Sequence, residues 1–176
     1  MGSSVVLLRS LGDAVQGAGG FFTSDIISGS GGACAQAVDV QAKLAARNGR
    51  DFINGGPRFY SYPRDLVRFD IQNCAQATVE LTFHNANFNQ YGWSFRFYGP
   101  STPGVNNTVG WHDLSARATR MGSNKWRLNI QDGQFGSYRP AGANALLFEG
   151  GPACNDDRLL QSGFEDGQVL TPPSCN

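Results

Sequence analysis

Between Leu66 and Ala153 apolar and polar residues alternate with period two, the pattern of strands that bury one face. LVRFDIQNC sets Val67, Phe69 and Ile71 on one face against Arg68, Asp70 and Gln72 on the other. ATVELTFHN opposes Val79, Leu81 and Phe83 to Thr78, Glu80, Thr82 and His84. The stretch from Cys74 to Ala77 between these two runs has the length of a hairpin turn. GWSFRFYGP places Trp93, Phe95 and Phe97 on one side and Ser94, Arg96 and Tyr98 on the other. SARATRMG and NKWRLNIQDG predict a hairpin turning at Gly122-Ser123, with Trp126, Leu128 and Ile130 alternating inward, and ANALLFEGGPAC closes the body. Antiparallel strands with one apolar face each must bury those faces against a second sheet. The pattern therefore predicts an all-β fold, an antiparallel β-sandwich of immunoglobulin-like or jelly-roll-like kind.

The N-terminal third is less regular. SSVVLLRS and GGFFTSDIISGSGG are β-prone runs set among glycines. Residues 35–47, AQAVDVQAKLAAR, predict one short helix: Ala and Leu dominate, Val38, Leu44 and Ala45 share a helical face, and Asn48-Gly49 follows as a C-cap. RDFINGGPRFYSYPRD reads as a loop with aromatic anchors, broken at Asn54-Gly55-Gly56-Pro57 and Tyr62-Pro63. The organisation expected is a β-prone segment and Gly-rich connector over 1–33, a sandwich domain over 34–153, and a C-terminal tail over 154–176.

Composition agrees with a turn-rich β-protein: charged residues are only 16% and there are 23 glycines. The formal net charge is zero, so nothing implies a nucleic-acid partner or an anionic membrane surface, and no apolar run is long enough to span a membrane. The charge is unevenly placed. From Glu149 onward there are five acids (Glu149, Asp156, Asp157, Glu165, Asp166) and one base (Arg158), leaving an acidic tail on a basic body. The start, MGSSVVLLRSLGD, lacks the length and cleavage site of a secretory signal.

Cysteine usage points to an oxidising compartment. Cys34, Cys74, Cys154 and Cys175 form no CxxC pair, and His84 and His112 lack metal-ligand spacing, so disulfides are expected and no metal or cofactor is. Of three connectivities, Cys34–Cys74 with Cys154–Cys175 is favoured, the second closing the acidic tail as a loop.

Residues 66–153 resemble the bacterial choice-of-anchor U domain family. The segments that carry the resemblance are VRFDIQNCAQATVELTF, WSFRFYGPSTPGVNNTVGWHDLS and WRLNIQDGQFGSYRPAGANALLFEGGPA. Its most specific points are the aromatic-Tyr98-Gly99-Pro100 corner, Trp111, the Asp132-Gly133 turn and Gly150-Gly151-Pro152. The family's acidic GDDDL run is replaced here by GSYRPAGAN, so a calcium role does not carry over. The resemblance implies a secreted or surface-displayed bacterial domain with no enzymatic activity. DDRLLQSGFEDG in the tail is similar to a GFE-type element of secreted gammaproteobacterial proteins, matching at Asp157, Leu160, Gly163, Phe164 and Glu165.

Three readings of the chemistry compete. Trp111-His112-Asp113 with Ser115 suggests a hydrolase, but neighbours on a strand point to opposite faces and no GxSxG elbow is present, so no catalytic residue is assigned. Tyr98, Trp111, Tyr138, Tyr60 and Tyr62 all sit in or beside loops and, with His112, offer a contact surface that could stack on a glycan. Val5, Val6, Leu7 and Leu8 form a detached strand that a neighbouring copy could accept on an open sheet edge, building a fibre. The leading expectation is a non-enzymatic structural or adhesive module at the bacterial surface, self-associating or bound to another surface protein; a glycan-binding accessory domain is the alternative.

Overall fold

A computed structural model of the chain describes residues 6–8, 22–30, 34, 37–43, 60–62, 64, 66–89 and 92–155. They form strands β1 (Val6–Leu8), β2 (Phe22–Ser30), β3 (Ala37–Lys43), β4 (Tyr60–Ser61), β5 (Leu66–Gln72), β6 (Gln76–Phe83), β7 (Trp93–Pro100), β8 (Val109–Asp113), β9 (Ala118–Arg120), β10 (Lys125–Gln131) and β11 (Ala145–Asn155). All pairing is antiparallel. One sheet runs β1-β2-β6-β10-β9 and the other β3-β5-β11-β7-β8, with β4 pairing the end of β11. This is the β-sandwich that the alternation predicts.

The inward faces are the predicted ones. Val67, Phe69, Ile71, Val79, Leu81, Leu128 and Ile130 are all buried, and each large apolar side chain so placed contributes about 1.5–3 kcal/mol. Aromatic rings fill the middle: Phe148 stacks on Phe69 at 4.9 Å and on Phe97 at 5.6 Å. Phe88 sets its edge against Trp93 at 4.9 Å, and Trp126 lies 5.3 Å from Phe95. The β9–β10 hairpin turns as expected, with Gly122 at φ 143° and Met121 N–H bonded to the Lys125 carbonyl.

Two expectations about local structure are corrected. Where residues 35–47 predict a helix, the described part, Ala37–Lys43, is a strand paired along β5, from Ala37 opposite Ile71 to Lys43 opposite Leu66. AVDVQAK also alternates, Val38, Val40 and Ala42 with Asp39, Gln41 and Lys43. The flank of β5 offers a ladder of backbone hydrogen bonds, which outweighs the helix preference of Ala. Secondly, β5 and β6 are not a hairpin but lie in opposite sheets. Residues 73–75 arch over the end of the sandwich, with Asn73 at φ 54° and Cys74 N–H bonded to the Asn144 carbonyl. A hairpin would turn both apolar faces the same way within one sheet; the arch turns them toward each other.

Three connections cross between the sheets at this end: β2–β3, β5–β6 and β10–β11, the last ending at Asn144. The β2–β3 connection carries Cys34, the β5–β6 connection carries Cys74, and the two cysteines are disulfide-bonded. Since β2 pairs β6 and β3 pairs β5, the arches run side by side and the disulfide joins them. Both sulfurs are buried, and Gly29 gives room: a Cβ there would run into Cys34. Cys154, at the end of β11, is also disulfide-bonded. Cys175, the GFE-type element and Val5 lie outside the described residues.

Candidate functional site

Strand alternation divides the predicted contact residues between the two faces of the β3-containing sheet. On β7 and β8, Phe97 is opposite His112 and Tyr98 is opposite Trp111. His112 therefore shares the inward face with Phe97. Its ring lies edge-on to Phe135 at 5.6 Å, and its Nε2 is 3.0 Å from the Gly99 carbonyl oxygen, as a donor in the tautomer protonated there. Tyr138 joins this inner group, edge-on to Phe97 at 5.7 Å, and its backbone N–H donates to the Leu147 carbonyl. His112 and Tyr138 are packing residues at the rim of the core.

Tyr98 and Trp111 face outward. Tyr98 meets Trp111 at 5.2 Å in a T-shaped contact, and Tyr62, just after β4, stacks on Trp111 at 4.5 Å and 24°. Tyr60 lies over the Arg96 guanidinium with 4.2 Å between the ring centroid and Cζ. The sequence names Tyr60 and Tyr62 with Tyr98 and Trp111 as candidate contact aromatics, but nothing local places them against β7 and β8. Only the pairing of β4 with β11, Tyr60 opposite Asn155, brings them together across the glycine-containing centre of β11. A sugar ring would need an open aromatic face, and Tyr62 occupies one face of Trp111.

Arg96 is the least expected member. Alternation reads it as a solvent-facing position, yet it is only 6% exposed. Its Nε has no hydrogen-bond partner among the described residues, and the ring of Tyr60 supplies the electron-rich contact a cation accepts in place of a carboxylate. Glu149 is similar. Counted with the acidic tail in the sequence, it sits within β11, fully buried, with Arg68 of β5 directly opposite at 3.3 Å. The tail's acidity consequently begins beyond β11.

The same alternation separates His112 from Asp113 and Ser115. Asp113 is exposed, and its carboxylate accepts from the Ser115 backbone N–H at 2.7 Å and from the Ser115 hydroxyl. His112 points the other way. The serine and aspartate form a local turn at the end of β8, with no imidazole between them.

Charge on the other sheet is also structural. Glu80 on β6 accepts from Lys125 at 2.9 Å and from Arg127 Nε at 3.1 Å, both on the neighbouring β10. The hydrogen bond from Arg127, then that from Lys125, holds its carboxyl below its ordinary value against the opposing effect of burial. Among the described residues no group of three or more His, Cys, Asp or Glu could hold a metal ion, and no helix is long and apolar enough to cross a membrane.

Fold and site together define an antiparallel β-sandwich with disulfide-joined arches, whose aromatic and charged side chains are engaged with one another. No family model, curated protein or solved structure matches the chain.

Proposed function

We propose that this protein is a non-enzymatic structural or adhesive module, secreted or displayed at the bacterial cell surface, that works by contact. The observation that carries the reading is the buried Cys34–Cys74 disulfide joining two of the crossover arches. Such a bond persists in an oxidising compartment and is kept reduced in a cytosolic one. The separation of His112 from the Asp113–Ser115 turn supports the absence of acyl-transfer chemistry. The resemblance of residues 66–153 to the choice-of-anchor U domain supports the surface placement.

The test is where the chain resides in cells that make it. Antibody raised against the folded protein should label intact cells or recover the chain from the medium, and external protease should remove the labelling. Confinement to the cytosol, with labelling only after lysis, overturns the reading.

A further inference from the structure

We infer that the outward face of the β9–β10 hairpin binds an acidic polysaccharide, a polymer of sugars that carry carboxylates. The choice of partner rests on the surface-module reading and deepens it; the site itself is read from charge and register.

Three features point to it. The first is a local surplus of charge in a chain that is neutral overall. Residues 114–131 hold four bases, Arg117, Arg120, Lys125 and Arg127, and no acid. The described fold brings one carboxylate to them, Glu80 of β6, which pairs both Lys125 and Arg127. Four bases against one acid leave the hairpin a surplus of three positive charges. Asp132, just beyond it, is buried and accepts from the Asn144 N–H, and Asp25 lies on β2, on the side of Glu80 away from β10. By contrast, Arg68 and Arg139 elsewhere each meet a carboxylate of their own, Glu149 and Asp70.

The second is how the charges are held. Both arginines flanking Thr119 are anchored on neutral oxygens. Arg117 Nη2 donates to Gln134 Oε1 at 3.2 Å, and Arg120 Nη1 donates to the Phe88 carbonyl. Each guanidinium is thereby positioned while its charge stays uncompensated and its other N–H groups remain for a ligand. A site fixed in advance loses less conformational freedom on binding.

The third is layout. Trp126 and Leu128 are buried, so Lys125 and Arg127, which alternate with them, point outward. Arg127 is opposite Thr119, and the Asn129 N–H donates to the Arg117 carbonyl, which sets Arg117 level with Asn129. Lys125, Arg127 and Arg117 thus occupy three successive outward rows about 7 Å apart, a stripe of about 14 Å. Thr119 and Asn129 are exposed within it and add hydrogen-bonding groups. Arg120 stands exposed at the margin, where β9 is the last strand of its sheet. A row of recurring positive charges suits a polymer of recurring negative ones, whereas a single small anion meets one of them.

Nucleic acid fits this face less well. Duplex DNA is read by an element that enters a groove, and β10 is paired with β6 on its other side, so the hairpin is no free-standing ribbon. Single strands stack their bases on aromatic side chains, and the hairpin's one aromatic residue, Trp126, is in the core.

The experiment is isothermal titration of the full chain with polygalacturonate at low ionic strength, with dextran and duplex DNA titrated alongside. The inference predicts binding to polygalacturonate that weakens as salt rises from about 0.01 to 1 M, and none to dextran. Arg117→Gln with Arg120→Gln should weaken it by about tenfold or more, while Arg139→Gln, which removes one charge outside the hairpin, leaves it unchanged. No binding by the parent, an equal loss with Arg139→Gln, or tighter binding to duplex DNA overturns it. Thermal melting checks that the variants fold. Should the double variant unfold, Arg117→Gln alone is used, since its partner Gln134 is itself exposed, and an unchanged affinity there overturns the inference. Surface labelling of intact cells together with no polysaccharide binding removes this site and leaves the surface-module reading standing; binding by a chain confined to the cytosol upholds the site and removes the placement.

Discussion

Removing the disulfide with Cys34→Ala and Cys74→Ala should release the two arches without altering either sheet. The bond spans 40 residues in sequence. Closing a loop of that length in the unfolded chain removes conformational entropy equivalent to about 4 kcal/mol at 25 °C. The substitutions introduce no bulk, and the smaller Ala side chains leave Gly29 less crowded, so the native state gains no strain to offset the loss. For a chain of this size, about 4 kcal/mol corresponds to a drop of roughly 8–16 °C in melting temperature, or about 2 M in the urea midpoint. The assay is urea denaturation of the oxidised parent and the double variant, followed by circular dichroism and Trp fluorescence together. Coincident transitions would show two-state unfolding, and the m-value is expected to rise in the variant because its unfolded chain is less compact. A loss below about 1 kcal/mol would refute the reasoning, showing that the arches are fixed by Cys74 N–H to Asn144 and their other backbone bonds without the staple.

Other substitutions test the packing and the charges. Gly150→Ala should destabilise by about 1–3 kcal/mol, because a Cβ there would meet the Arg96 carbonyl and the Phe148 ring; an unchanged melting temperature would contradict the register of β7 on β11. Arg96→Met should be neutral or stabilising, since it replaces an enclosed cation with no acid partner among the described residues by an apolar chain of similar length; a loss above about 1 kcal/mol would show that the Tyr60 contact outweighs the desolvation of the charge. Glu80→Gln should cost about 1 kcal/mol at neutral pH, a figure kept small because its partners Lys125 and Arg127 are partly in water. The folded carboxyl titrates below its ordinary value of 4.5, so its contribution is present above that pH and is lost as pH falls through the lower folded value. The stabilities of Glu80→Gln and the parent should therefore converge in acid, and a constant gap down to pH 2 would contradict the assignment.

The sandwich was legible in the sequence wherever one face of a strand is wet. Leu66–Gln72, Gln76–Phe83 and Lys125–Gln131 alternate cleanly, and their inward sets are the buried ones. It was less legible where alternation and helix propensity overlap, as in Ala37–Lys43, which only the flank of β5 decides. Nor does loop length separate a hairpin from an arch, since residues 73–75 could serve either. The contact residues show the same limit. That His112 and Trp111 face opposite ways follows from adjacency, but the stacking of Tyr62 on Trp111 depends on a long-range pairing of β4 with β11. Arg96 and Glu149 look like surface charges in sequence, and only the layers around them make them interior.

The central claim, a disulfide-joined module made for the cell exterior, is tested most directly by peptide mapping of protein taken from its native source. Free thiols are blocked at lysis, and the chain is digested with trypsin without reduction. The account predicts that residues 10–43, carrying Cys34, emerge covalently joined to residues 69–96, carrying Cys74, with no blocked thiol on either. Recovery of both peptides separately, each with an alkylated cysteine, would contradict it.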